Sequence, residues 1–493
     1  MTRFNFRFFI INTLLIMLFA NSSFAQATIP VDSIKQMIKR EVDNKRSASI
    51  TVGIIDANGS QVFSYGKFKD NSNQTPDGNT LYEIGSITKV FTSLILADMV
   101  QHGELNLNDP ISKFLPKSVK TPTFNGKEIT LLDLATHTSG LPRGPDNLTS
   151  NDQYVPFKDY TVDQMYDFLS RYKLTRAIGS KYEYSTFGMG LLGHILSIKA
   201  GEGYETLVLK RICKPLHMDN TVSTITAKLQ PLLATPHSMF NKPISNYQMG
   251  ALAGGGDLKS NVNDLLKFLS ANLGLTQTRL LPAMELSQAV RDSAPNPNVV
   301  IPQFVCLGWH FVKVFETELV NHSGNTNGSS AFIGFDKKKK IGVVVLSNSV
   351  NEIDDIAVHI IQNKCQIQPF HYKWMLKDTL LSTINEKGID AAIKLYYSLK
   401  NEHRSGYSFD LEQLDALCYV DLLYSNKAKE ALELFKLNAS EYPTIWKVYD
   451  SLGEAYMVNG DNDLAITNYQ KSVELNPNNT NGIAKLKELR NRK

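Results

Sequence analysis

Ser86 and Lys89 stand three residues apart in the run Tyr82-Glu83-Ile84-Gly85-Ser86-Ile87-Thr88-Lys89-Val90-Phe91-Thr92. A serine hydroxyl is a poor nucleophile until a base takes its proton, and an amine at i+3 on a helix lies over the same face. The spacing therefore predicts a helix opening near Ser86, with the two groups close enough for one to deprotonate the other. Val90, Phe91, Leu94, Ile95, Ala97 and Met99 would bury that helix and hold the pair rigidly, as a near-attack geometry requires. The pattern S-x-x-K also occurs at Ser64/Lys67 and Ser170/Lys173, so context must decide. Ser64 lies in an alternating, strand-like run where residues three apart face opposite sides. Ser170 closes an ordinary amphipathic helix. Ser86 alone follows a glycine, opens a helix and leads into a buried face.

Two other stretches hold groups of a useful kind. Tyr184-Ser185-Thr186 precedes Gly188-Met189-Gly190-Leu191-Leu192-Gly193, and a phenol at the mouth of a glycine-lined helix shuttles a proton if cationic neighbours lower its pKa. Alone, Tyr184 reads as a structural tyrosine with a buried ring and an exposed hydroxyl, and Tyr182 is its rival. His322-Ser323-Gly324, followed by Asn325-Thr326-Asn327-Gly328, is predicted to end one strand and turn into the next. A strand edge at a cleft offers backbone N–H groups to a developing oxyanion, and His322 would add a donor for substrate. Alone, His322 reads as a turn histidine in solvent. His137 and Ser139 invite a Ser-His dyad, but residues two apart at a helix end diverge, and Thr138 to Pro142 has the makeup of a turn.

The elements that must position these groups follow from the rest of the 493 residues, a length that predicts two or three domains. Hydrophobic content of 42% and charged content of 20% fill a globular core. The net charge is +4, two of it from Arg3 and Arg7, so no nucleic acid or other polyanion partner is implied. Arg3 and Arg7 precede the apolar run Phe8 to Ala20 and the small-x-small site Ser23-Phe24-Ala25, as in a secretory signal peptide cleaved after Ala25. The run is shorter than the ~20 apolar residues that span a bilayer, so no transmembrane segment is expected after cleavage. The protein is expected to be exported, periplasmic or secreted. Four scattered cysteines include no C-x-x-C, and the ten histidines no H-E-x-x-H, so neither a metal site nor a cofactor is expected.

Val31 to Asp43 reads as an amphipathic helix, and Ser49 to Asp56 with Gln61 to Lys69 as a hairpin about Asn58-Gly59. From the Ser86 helix to Asn272 the pattern is mostly helical. Cys306 to Phe315, Leu319 to Asn321, Ser329 to Phe335 and Ile341 to Ser347 then read as antiparallel strands, and Glu352 to Lys364 as a helix. The expected fold class is α+β, one antiparallel sheet assembled from both ends of residues 30–365 and flanked by helices, with a helical subdomain inserted. A linker is expected at 366–373 and an all-helical domain over 374–493. There Ala431, Phe435 and Pro443 recur as Ala465, Tyr469 and Pro477, each 34 residues later, and Leu452, Gly453 and Tyr456 complete the tetratricopeptide packing pattern. Gly388, Ala392 and Tyr396 fit a degenerate earlier copy, and Asn481 to Arg490 a capping helix. Such repeats dock a protein partner or serve as a packing appendage.

Y-E-I-G-S-I-T-K at Tyr82 to Lys89, L-A-T-H-T-S-G-L-P at Leu134 to Pro142, Y-S-T-x-G-x-x-L-L-G at Tyr184 to Gly193, G-G-G-D-L-K-S at Gly254 to Ser260 and H-S-G at His322 to Gly324 stand in an order that resembles the serine β-lactamase and penicillin-binding protein superfamily. The resemblance covers about residues 30 to 365 and is closest to the class C β-lactamase, D-peptidase and esterase branch. It implies a β-lactamase-like fold with the cleft between sheet and helical subdomain. It further implies Ser86 as acylated nucleophile, Lys89 as base and Tyr184 as proton shuttle. The His322-Ser323-Gly324 strand would be the substrate edge, with an oxyanion hole from the N–H groups of Ser86 and Asn325. Two positions depart from the branch: Thr186 replaces an asparagine and cannot offer a carboxamide, and His322 stands where the lactamases carry lysine. Histidine is mostly neutral near pH 7. The expected substrate is therefore a small molecule or peptide, a D-amino-acid peptide, amide or ester at least as much as a β-lactam. Two alternatives are a cell-wall D,D-carboxypeptidase and a catalytically weak ligand-binding module with a partner-docking repeat domain.

Overall fold

The structure, a computed structural model, describes residues 31–490 apart from 45, 71–73, 151, 153, 239–241, 292–302, 366–374, 403–406 and 424–426. The expected signal segment and the linker lie outside the described residues. Two compact units divide the chain, Met1–Cys365 and Gln366–Lys493.

In the first unit, α1 (Val31–Asp43) buries Ile34, Met37, Ile38 and Glu41, the one face its 3.6-residue spacing allows. β1 (Ser49–Asp56) and β2 (Gly59–Gly66) form the predicted hairpin, Asp56 facing Gly59 across a two-residue turn. α2 (Thr88–Gln101) is buried from Thr88 to Met99 on every side, as befits a helix enclosed within a core rather than laid on it. α3 (Thr186–Ala200) starts at the Ser185 cap, whose hydroxyl accepts from Gly188 N, and α4 (Val262–Asn272) at the Asn261 cap. The chain then returns to the sheet as β3 (Gln303–Val305), β4 (His310–Val314), β5 (Thr317–Asn325), β6 (Ser330–Asp336) and β7 (Ile341–Ser347), and α5 (Asp354–Ile361) follows. The strand order is β2-β1-β7-β6-β5-β4-β3, antiparallel throughout, so the two ends of the unit meet where Ile50 pairs with Ser347. β6 is buried along its whole length and reads as a continuous apolar run accordingly. Aromatic pairs join the layers: Phe91 of α2 stacks on Phe268 of α4 at 4.7 Å, and Trp309 meets Phe335 of β6 edge-to-face at 5.5 Å.

His322-Ser323-Gly324 ends a strand as expected, but β5 runs on through it to Asn325, past the predicted end at Asn321, and residues 326–329 make the turn into β6. The glycine there serves close approach rather than chain reversal. Two other sequence expectations change. The run from Cys306 to Phe315 is split, because Gly308 at φ +68 closes a turn in which Cys306 N donates to Trp309 O. Among the described residues between Leu216 and Lys259 the expected helicity gives way to irregular chain with short 3-10 turns at Gln230–Leu232 and Gly250–Gly255. Pro231, Pro236, Pro243 and the glycines at 250 and 254–256 break any longer helix.

The second unit is helical: Met375–Lys387, Ile389–Asn401, Leu411–Leu417 continuing into Cys418–Leu422, Ala428–Glu441, Trp446–Val458, Asn462–Leu475 and Thr480–Arg490. Ala431, Phe435, Ala465 and Tyr469 are all fully buried, and a β-carbon on Gly453 would stand 3.0 Å from the Tyr469 ring. Among the described residues no helix is long and apolar enough to cross a membrane.

Candidate active site

Ser86 sits in a single 3-10 turn, Gly85–Ile87, that feeds directly into α2. Gly85 has φ +46, and a β-carbon on it would come within 2.8 Å of the Asn325 carbonyl oxygen. Gly324 is tighter still, since its β-carbon would meet Ile84 O at 2.0 Å. Two glycines thus press the serine turn onto the end of β5, and no side chain could stand between them. Glu83, 3% exposed, fastens the surroundings: its carboxylate accepts from Tyr247 N at 2.7 Å, Asn246 Nδ2 at 3.1 Å and Thr326 Oγ1 at 2.7 Å.

The structure brings Ser86, Lys89 and Tyr184 together. Lys89 Nζ lies 2.9 Å from Ser86 Oγ and donates to Gly255 O at 2.5 Å. That carbonyl reaches the lysine because glycines line both sides of its approach: Gly193 of α3 faces Gly254, where a β-carbon would stand 2.9 Å from the opposing α-carbon. The glycine run ahead of Asp257 therefore has a positioning role that the sequence reading did not assign. Lys89 is fully buried with two uncharged partners, and desolvation, followed by the Arg143 charge, holds its pKa well below the usual lysine value. The amine therefore sheds its proton more readily than an ordinary lysine, which suits it to the part of a base.

The Tyr184 ring centroid lies 4.9 Å from Lys89 Nζ, the partner of Ser86 Oγ. The condition set by the sequence, a pKa lowered by cationic neighbours, is not met. Burial pushes the phenol up to about 12, and the neighbouring Ser86 hydroxyl and the Arg143 charge only moderate that rise. The anion-favouring cations are outweighed because the ring has lost its water. Tyr184 is therefore a neutral donor and acceptor, and Lys89 is the group placed to act as base. Tyr182, the rival, has its hydroxyl 3.3 Å from His310 Nε2 instead.

The other predicted residues are placed unevenly. Thr186 and Asn325 line a cleft of about 250 Å³ with Gly85, Ser86 and Gly255. Ser323 does not reach it, because its hydroxyl donates to Asp354 of α5, on the face of the sheet opposite His322. His322 is 2% exposed rather than solvated, its Nδ1 bonded to Ser323 O at 2.6 Å and its ring stacked 4.9 Å from His310. Burial and the nearby His310 and Lys89 charges hold it well below the ordinary histidine pKa, so it is a neutral ring. No Ser-His dyad forms at 137 and 139: Ser139 Oγ accepts from Leu141 N and His137 Nδ1 from Ser185 N.

Sequence reasoning missed His137 as a neighbour of the site, although its ring lies 4.5 Å from that of Tyr184. It also missed Arg143, Phe157, Tyr247 and Met249, which complete the cleft wall. Only the position of Arg143 directly after Leu141-Pro142 could have drawn attention to it. Among the described residues no group of three or more His, Cys, Asp or Glu is placed to hold a metal ion.

Residues 34–364 match the family model described as Beta-lactamase. The chain is 26% identical over 339 residues to the D-alanyl-D-alanine-carboxypeptidase/endopeptidase AmpH of Escherichia coli (strain K12), covering 64% of this chain and 86% of that one. It is 27% identical over 352 residues to a beta-lactamase of Pseudomonas fluorescens, covering 64% and 92%. The solved class C beta lactamase from Rhodobacter sphaeroides superposes with a TM-score of 0.59 at 21% identity, over 68% of this chain and 99% of that one, a likeness of fold.

Proposed function

Given that the chain belongs to the beta-lactamase family and is a serine hydrolase, we propose that it cleaves amide or ester bonds through an acyl-enzyme on Ser86. Neutral Lys89 takes the Ser86 proton as Oγ attacks the substrate carbonyl, and the oxyanion rests on the N–H groups of Ser86 and Asn325. The proton passes through Tyr184 to the departing nitrogen or oxygen, and the bond to the leaving group breaks. Water then gives a proton to Lys89, attacks the acyl carbon and releases the acid, and Ser86 recovers its proton. The observation that carries this reading is the fully buried Lys89 amine 2.9 Å from Ser86 Oγ. A catalytically weak binding module would have no use for such a desolvated base.

The substrate we infer is a D-amino-acid peptide or ester at least as much as a β-lactam. Buried, neutral His322 supports this, because it gives the strand edge no permanent charge. The AmpH relative, named a D-alanyl-D-alanine-carboxypeptidase/endopeptidase, favours cell-wall peptide as the second, narrower choice. Export fits that chemistry and rests on residues 1–25. The second unit we read as tetratricopeptide-like, supported by the buried Ala431/Ala465 and Phe435/Tyr469 echoes, with a protein partner as its ligand. A panel of a D-alanyl-D-alanine peptide, nitrocefin and a short-chain ester, each with a Ser86→Ala control, tests the assignment. Turnover of at least one, lost in the variant, is expected, whereas turnover retained in Ser86→Ala rejects it.

A further inference from the structure

Arg143 is the one charged side chain among the described residues that line the cleft. No ion pair to it exists among the described residues, and the carboxylates nearby are engaged. Asp146 is taken by Arg171, Glu183 by Arg176, Asp257 by Lys259, and Glu83 by three neutral donors. An unpaired guanidinium at the wall of a site is an unused fork of N–H donors, shaped for a carboxylate.

Its place is fixed by the same helix that fixes Tyr184. The Arg143 carbonyl accepts from Thr186 N at 3.0 Å and Phe187 N at 3.1 Å, the first N–H groups of α3. The guanidinium carbon stands 5.4 Å from the centroid of the Tyr184 ring, within stacking range. The Tyr184 ring lies 4.9 Å from Lys89 Nζ, and Arg143 and Ser86 line the same cleft, so an anion held by Arg143 lies within one small substrate's length of the nucleophile. The site's other basic groups are unsuited to this task. Lys89 is buried behind Ser86, and His322 is a buried, neutral ring.

We propose that Arg143 is the specificity-determining residue of this site, gripping a carboxylate of the substrate, with Phe157 and Tyr247 as the aromatic walls of the same subsite. The preferred substrates are therefore anionic amides and esters, and the charge that selects them comes from the turn ahead of α3 rather than from the β5 edge. This rests on the hydrolase reading above.

The test compares mono-p-nitrophenyl glutarate with its methyl ester, which differ in one carboxylate. The wild-type protein should prefer the acid, and Arg143→Ala should cut the acid-to-ester ratio of kcat/KM by about 30-fold, equivalent to about 2 kcal/mol. Arg143→Lys should recover part of it, with melting temperatures confirming that each variant is folded. A second arm needs no turnover: calorimetric binding of glutarate to Ser86→Ala should weaken about tenfold or more on adding Arg143→Ala. An unchanged ratio in Arg143→Ala, or equal glutarate affinity in the two proteins, overturns the proposal. Failure of the hydrolase reading looks different: neither ester is turned over by the wild type, or turnover survives Ser86→Ala.

Discussion

The α-carbon of Gly324 lies directly against the carbonyl of Ile84, so close that a β-carbon would stand 2.0 Å from that oxygen. This contact sets the distance between the serine turn and the end of β5, and hence the gap in which a carbonyl could meet both Ser86 and Asn325. Gly324→Ala must force the two backbones apart, because the obstructing atom is main chain and has nowhere to rotate. The expected cost is about 1–3 kcal/mol in stability. Ester turnover should fall on the order of 100-fold, since an ångström of misplacement is felt at the reacting atoms. Denaturant midpoints and kcat/KM measured on the same preparation check both.

The electrostatics of Lys89 and Tyr184 predict a one-sided pH profile. Activity on a neutral ester should rise as Lys89 loses its proton, at a pH well below that of an ordinary lysine. No alkaline fall from the phenol is expected until its pKa near about 12. Lys89→Arg, permanently charged, should lose most turnover, and Tyr184→Phe should slow it on the order of 100-fold, the low end of what positioned proton transfer contributes. The linkage has a definite sign. Because folding depresses the lysine pKa, the unfolded chain holds more protons between the folded pKa and 10.5, so this group makes stability rise with pH through that window and cost the fold below it. Rate profiles of the three proteins across pH are the check.

Asp354 gives the opposite slope. Burial raises its pKa from 3.8 to about 6, although the Ser323 hydrogen bond opposes the rise. Between those values the folded protein holds the extra proton, so its stability falls as pH increases through the window, by on the order of 3 kcal/mol. Asp354→Asn keeps an acceptor for Ser323 and removes the titration. Urea midpoints of the two proteins at about pH 4 and pH 7 should therefore converge at the acid end and separate at neutral pH, the variant being the more stable there.

Much of this was legible in the residues, for identifiable reasons. Strong periodicities declared themselves: α1, the Asn58-Gly59 hairpin and β6–β7 follow from spacing and turn chemistry alone. The Ser86/Lys89 pair was legible because its i,i+3 spacing is local. What escaped was non-local. Ser323 looked like a cleft residue until the β5 register put its hydroxyl on the opposite face, toward Asp354. Nothing in a linear reading weighs burial against charge, so whether cationic neighbours acidify Tyr184 stayed open there, and desolvation wins. The carbonyl that meets Lys89 comes from Gly255, 166 residues away, through a glycine-to-glycine contact no motif advertises.

The central claim is that Ser86 is a nucleophile deprotonated by Lys89. Intact-protein and peptide mass spectrometry after exposure to a fluorophosphonate tests it most directly. A single adduct mapped to Ser86, greatly slowed in Lys89→Ala and absent in Ser86→Ala, is the predicted result. A wild-type protein that stays unlabelled, or carries its adduct on another residue, contradicts the account.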